Sequence, residues 1–560
     1  MQVGDRKKGQ DHSGIHKLSD ELSLASLERA RGELHNLQKL INESARLGEE
    51  MSEIVADLRQ VAAPEGQPFV FTDSIAENKR LLETVFRDCD DVKMRSFNLY
   101  GNQALLVYLD GMTDTDVLSE NVIKAATSEP STQSSGTQAT IANLSTLVNE
   151  KLSVTDVTVV SKATEAIESV MAGKALLLID DVAEVLVVGT VKHVKRSVEQ
   201  GIEDVMRGPH DTFNETLSDN IVLIRRRARD PNVKVRIIKI GERSKTAVAM
   251  VYVANLVKPG LLEEVERRLK SIKIDRVLAS FNIEEYIVDN PWTPFPQVQT
   301  TERPDKVVAS IYEGRVAIII DNTPATMLAP CTYNMIMQSP EDYTMPTIVS
   351  SLVRFSRHIS AFIAIYLPSV YVAVVSFHPG LMPTTLAISV GELRARSPFP
   401  SFLEAVAMEM ILEIFQEAVS RLPQKIAGAA SVVGGFIIGN TVVEAGLINP
   451  LLVVVVASTA IASYTLPSWS FSMALRVFRV PMLILASILG LYGVMIGLLI
   501  VTVHLCALRS FGESYLGGMF NITLLEDWTD QVLRLPQQNI GARPKELGVQ
   551  ERDRHGENIG

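Results

Sequence analysis

The distribution of apolar positions divides the chain into three regimes. In residues 15–60, Leu18, Leu22, Leu27, Leu34, Leu37, Ile41, Ile54 and Leu58 recur near three-and-four spacing with charges between them. That is the period of an amphipathic helix. It reads either as a coiled-coil partner or as a solvated extension, because Gly32 and Gly48 interrupt the heptads. A loop from Ala63 to Pro68 ends this extension, giving a first segment of 1–68. From about 70 to 330 the pattern alternates between helical period and short β-branched runs. Ala104–Asp114 reads as a buried strand closing on an Asp-Gly turn, and Lys174–Thr190 as a hairpin turning near Asp180-Asp181. The run Thr127–Thr140 reads as a polar loop. A second round follows: helix to Arg227, strands Val233–Ile240 and Ala247–Val253, helix Pro259–Ile272, and strand Arg315–Asp321. The expected architecture is two small α/β domains in tandem, 69–204 and 205–350.

Beyond Arg354 the pattern becomes continuously apolar. Ala361–Phe377, Ile426–Ile448, Pro450–Pro467 and the uncharged run Met482–Val503 read as membrane helices. Ser401–Leu422 differs, because Glu409, Glu413 and Glu417 recur every four residues on one face. A mid-bilayer carboxylate costs about 2.5–3.5 kcal/mol on the insertion scale, so three facing lipid are excluded. Either this helix lies at the interface, or its acidic stripe faces water inside an assembly, where stripes from several copies would form a cation-attracting ring. Counted as a span, it gives an all-α membrane domain of about five helices over 351–510, followed by a tail, 511–560. Arg354, Arg357, Arg421, Lys425, Arg476 and Arg479 then fall on the cytosolic side, and Arg394 and Arg396 outside. Gly435 with Gly439, and Gly493 with Gly497, have the spacing that lets helix backbones approach closely. Pro368 is expected to kink the first span.

Composition narrows the function. A formal charge of −11 excludes the basic footprint of a nucleic-acid binder. Cys89, Cys331 and Cys506 lie far apart, which excludes a disulfide framework and a Cys-based zinc site. No phosphate-binding glycine motif or H-E-x-x-H occurs. His12 and His16 sit in a polar tail, and Arg225–Asp230 reads as a charged helix end. We expect no cofactor, no metal and no catalytic site. The N-terminus carries no apolar signal segment, so the first 350 residues are expected in the cytosol.

The segment Pro294–Pro324, "PFPQVQTTERPDKVVASIYEGRVAIIIDNTP", is the most specified in the chain. A charged run, Thr301–Asp305, precedes a β-rich stretch that ends on the Asp321–Pro324 turn. The segment resembles the signature of GerA-type spore germinant receptor A subunits: P-F-P-Q-x-x-x-T-E-R-P-D, then E-G-R-V, then D-G-[ST]-P. Asn322 stands where the family has glycine, a departure that a turn tolerates. Arg207-Gly208-Pro209 with Phe213, Glu215, Asn220 and Arg225–Arg227, the run Ser339–Pro346, Tyr366–Gly380 and Pro398–Pro423 extend the resemblance over about 75–540. Gln200-Gly201 departs from it.

The resemblance implies a multi-pass protein of the inner spore membrane with a cytosolic α/β region. It would work with a transporter-like B subunit and a lipoprotein C subunit. It also implies a homo-oligomer in the lipid bilayer, gated by ligand to pass cations. Alternatives are a germination-amplifying paralogue associated with the dipicolinic acid channel proteins, and a non-conducting scaffold. Within the signature, Glu302, Arg303, Asp305 and Arg315 suggest either a coupling surface towards the membrane helices or a self-contained ion-paired turn.

Overall fold

The computed structural model describes residues 70–99, 102–120, 157–192 and 208–517, and, towards the C-terminus, 530, 532–536, 538 and 540–554. The segment expected as an N-terminal helix, the run 127–140 expected as a loop, Gln200-Gly201 and Arg207 lie outside these.

Two α/β units follow one another, as the periodicity predicts. In the first, α1 (Ile75–Val85), β1 (Val92–Leu99), β2 (Asn102–Leu109), β3 (Val157–Val160), α2 (Ala163–Met171), β4 (Ala175–Ile179) and β5 (Val185–Val188) build a sheet of order β1-β2-β4-β5-β3. The second contains α3 (Leu217–Arg227), β6 (Val233–Ile240), β7 (Thr246–Val253), α4 (Pro259–Ser271), α5 (Ser280–Ile287), β8 (Gln299–Thr301), α6 (Pro304–Ile311), β9 (Val316–Ile320) and β10 (Thr326–Ala329). Its sheet runs β6-β7-β9-β10-β8, the same topology. All these pairings are antiparallel. Strands β4 and β9 are buried at every position, as their unbroken apolar runs require.

The repeat extends to side chains. Asn78 accepts from Thr72 N and donates to Thr72 O, and Asn220 does the same with Asn214. Asp180 receives the first amide of α1, and Asp321 receives that of α3. The next residue, Asp181 or Asn322, takes a positive φ of 63° or 67°. Gly173 and Gly314 end the two crossover helices at φ 88° and 90°. The units are joined by Asp91, buried and held by both Nε and Nη2 of Arg225 at 2.7 and 3.0 Å.

The β-rich stretch expected after Asp305 is helical at its start. Pro304 occupies the first turn of α6, where its missing N–H costs nothing, and Asp305 favours the positive helix end. Val307, Ser310 and Ile311 are buried at helical spacing, and only after Gly314 does the strand begin.

The C-terminal half is a helical bundle: α7 (Thr347–Phe377), α8 (Thr384–Arg394), α9 (Ser401–Ser420), α10 (Gln424–Phe436, continued by a π-turn over Ile437–Thr441), α11 (Pro450–Tyr464), α12 (Trp469–Leu489) and α13 (Leu491–Ala507). Thr347–Phe377, Ile426–Glu444 and Trp469–Leu489 are long and apolar enough to cross a membrane, and α11 and α13 are shorter apolar helices. The run Met482–Val503, expected as one span, is broken at Gly490 (φ 60°), where α12 ends and α13 turns back against it. A residue with Cβ pays for that conformation, so glycine is the hinge. At the distal end, Gly490 meets Phe377 and His378, and Ser376 meets Ser401. Among the described residues the chain therefore runs along the bundle six times, by α7 and α9–α13, and returns to the α/β end. There the final stretch covers the second unit: Arg543 donates to Tyr312 O and Gln550 to Val257 O.

Candidate functional site

Two arrangements stand out, an ion-pair ladder inside the bundle and the junction between bundle and second unit. In the ladder, α9 and α12 run antiparallel and match acid to base. Glu409 pairs with Arg479 at 3.1 Å, with both side chains buried. One turn on, Glu413 lies 3.7 Å from Arg476, and at the proximal end Glu417 pairs with Arg421 of its own helix, both exposed. Exposure of the acids rises from 9% at Glu409 to 48% at Glu413 and 61% at Glu417, so the stripe leads from core to surface.

Arg479 was expected at a cytosolic flank; it lies instead halfway along α12. Its guanidinium donates to Ala364 O on α7 (2.6 Å), Glu409 on α9 and Ser463 on α11, so one side chain ties four helices. Burial of the charge is tolerated because these acceptors replace water. Glu404, outside the predicted stripe, is also buried; it accepts from Ser397 and from the amide of Asn449 at the start of α11. In the sequence, an arginine among apolar residues at helical spacing is the signal for Arg479, and the uncharged run Met482–Val503 after it competes as a span.

At the junction, Phe295 enters the bundle. It stacks on Phe478 of α12 at 5.1 Å and lies 5.9 Å from Phe471 and from His504 of α13. Thr293 Oγ1 is 2.8 Å from His504 Nε2, and Cys331 N donates to Ser510. Cys331 and Tyr515 are fully buried in this contact, and that burial pushes the thiol up to about 12 and raises the phenol well above its usual value. Alongside, Asp342 accepts from Arg354 (3.1 Å) and Arg357 (2.7 Å) of the first turns of α7, and Arg354 also reaches Asp530.

The charged signature residues sit behind this contact. Arg303 forks onto Asp305 at 3.0 and 2.6 Å, two residues away. Arg315 donates to Pro330 O and lies 3.6 Å from Glu313, which also meets Arg554. These pairs close within the second unit and its C-terminal cover. Glu302 and Arg303 nevertheless line a cavity of about 580 Å³ that Arg357 and the α11–α12 loop, Tyr464–Ser470, complete. Gly493 and Gly497 face α12, where an added Cβ would strike Leu485 and Met482; Gly435 and Gly439 face open space. The basic run Arg225–Arg227 is spent on structure, with Arg226 donating to Lys192 O and Arg227 to Asp211. Among the described residues no group of three His, Cys, Asp or Glu side chains could hold a metal ion.

A duplicated α/β region seated on a helical bundle, with charge pairs buried between apolar helices, defines a membrane protein with an N-terminal soluble region. The family model GerA, described as Bacillus/Clostridium GerA spore germination protein, matches residues 80–546, and the chain belongs to this family. Spore germination protein A1 of Bacillus subtilis (strain 168) is 36% identical, over 85% of this chain and 96% of the relative. Spore germination protein GerLA of Bacillus cereus is 34% identical, over 82% and 92%. The uncharacterized membrane protein YfkQ of Bacillus subtilis (strain 168) is 35% identical, over 84% and 91%. A crystal structure of the N-terminal domain of the A subunit of the Bacillus megaterium spore germinant receptor GerK3 aligns with 48% of this chain and 98% of its own, at 25% identity and a TM-score of 0.37.

Proposed function

We propose that this chain is the A subunit of a spore nutrient germinant receptor, set in the inner spore membrane with its α/β region in the cytosol. Membership of a family of spore germination proteins carries the reading. On this account it works with a transporter-like B subunit and a lipoprotein C subunit, and several copies assemble into a ligand-gated cation channel. The graded stripe supports the cation pathway. Glu409 is neutralised by Arg479, whereas Glu413 and Glu417 are exposed enough to face water between copies. Gly435, Gly439 and the exposed Val432, Val433 and Phe436 on α10 offer the neighbouring copy a surface. Phe295, on the loop closed by Asn290 and Gln297 and packed against Phe478 and His504, transmits movement of the second unit to α12 and α13.

Single-channel recording on the assembled receptor in planar bilayers tests the pathway. Glu413→Gln should lower cation conductance and selectivity at unchanged abundance, since a ring of carboxylates concentrates cations at a pore. Unchanged currents would remove this stripe from the pore, and absence of any current from assembled receptor would favour the scaffold.

A further inference from the structure

The loop that delivers Phe295 also presents Trp292, the most exposed large apolar side chain in the described structure at 92%. An indole left in water forgoes the burial free energy of a large aromatic surface. This one is not on a floppy tip. Asn290 N donates to Gln297 Oε1 and Gln297 Nε2 returns a bond to Asn290 O, closing the loop at its base. Asn290 Oδ1 accepts from Trp292 N, and Pro291 and Pro294 restrict the backbone on either side.

The position of that rigid loop is fixed by the bundle. Thr293, the next residue, contacts His504, one turn before α13 ends at Ala507. The outward residues of α13, Tyr492, Met495, Leu499, Ile500 and Val503, are each more than half exposed and form a continuous apolar outer surface. Trp292 therefore stands where that surface stops. Trp469 opens α12 and Tyr464 closes α11 at the same end of the bundle, exposed by 71% and 64%. Arg509, two residues beyond α13, is also exposed. Aromatic side chains with a polar edge, accompanied by cations, are the composition that partitions into headgroups.

We propose that the second α/β unit is anchored directly in the bilayer interface by Trp292, with Trp469 and Tyr464 completing an aromatic belt around the proximal end. The occupant of this surface is the headgroup layer itself, continuous with the lipid around α13. The anchor holds the loop from outside while Phe295 holds it from inside, so the unit tilts only by withdrawing an indole from lipid.

The chain contains three tryptophans, Trp292, Trp469 and Trp528. The test uses the full-length chain with Trp469→Phe and Trp528→Phe, reconstituted in phosphatidylcholine–phosphatidylglycerol vesicles containing lipids brominated at graded depths. The anchor predicts blue-shifted emission, loss of intensity greatest with shallow bromines, and little quenching by aqueous iodide. Strong iodide quenching with no response to brominated lipid would overturn it. Resistance to both would also overturn it, placing protein rather than lipid over the indole. The difference between the unaltered chain and its Trp292→Phe variant gives the same reading should the double substitution fail to fold.

Discussion

Single residues decide where charge can be buried in this molecule. Arg479 satisfies acceptors on three other helices, so Arg479→Ala leaves Glu409 buried without its cation. The expected loss is about 3–5 kcal/mol of stability, as for broken buried pairs generally. Thermal unfolding in detergent should show a lower midpoint for this variant, and pairing it with Glu409→Leu should recover part of the loss; equal loss in the double variant would mean that the pair is not coupled. Outside the membrane, Glu284 on α5 is the carboxylate to watch. Burial raises it from an ordinary value near 4.5 to about 7. Between those values the folded chain binds more protons than the unfolded one at this site, so its contribution to stability falls as pH rises from 4.5 through 7. Glu284→Gln should flatten that part of the stability–pH profile and raise stability at pH 8 relative to the parent. An unchanged profile would show that the group is solvated.

Elements were legible in the sequence where two signals agreed. Strand β6 matches its expected bounds and β7 begins one residue earlier, because alternation and turn residues coincide there. Helix α6 reads as β-rich because Val307, Val308 and Ile311 lead into the strand after it; Pro304 and Asp305 are the helix-start signals that outweigh them. The α12–α13 hairpin is hidden in the sequence because Gly490 is one of three glycines in an apolar run, and glycine is common in membrane helices. The internal duplication was visible in principle: "KALLLIDD" from Lys174 and "RVAIIIDN" from Arg315 share a pattern. The acidic stripe was legible from its spacing, but its partners were not, since Arg476 and Arg479 meet it only through packing of α12 on α9. Packing also separates the two glycine pairs. Gly493→Leu should disrupt the α12–α13 contact and lower receptor abundance. Gly435→Leu should leave the monomer intact and weaken assembly, readable as smaller complexes on native gels; normal assembly would remove Gly435 from the interface.

At the scale of the whole molecule, three strands of chain bind the α/β region to the bundle. These are the Phe295 loop, the start of α7 with its Asp342–Arg354–Arg357 cluster, and the return after α13 through Tyr515, Asp530 and Arg534 to the 540–554 cover. Such a junction resists independent motion of the two parts. Potassium release from purified spores lacking this gene, followed over a panel of nutrients, tests the receptor account most directly. The account predicts that release fails for one nutrient class and proceeds normally for the rest. Uniform slowing across every nutrient would contradict it and identify the chain as an amplifier of germination acting with the dipicolinic acid channel proteins.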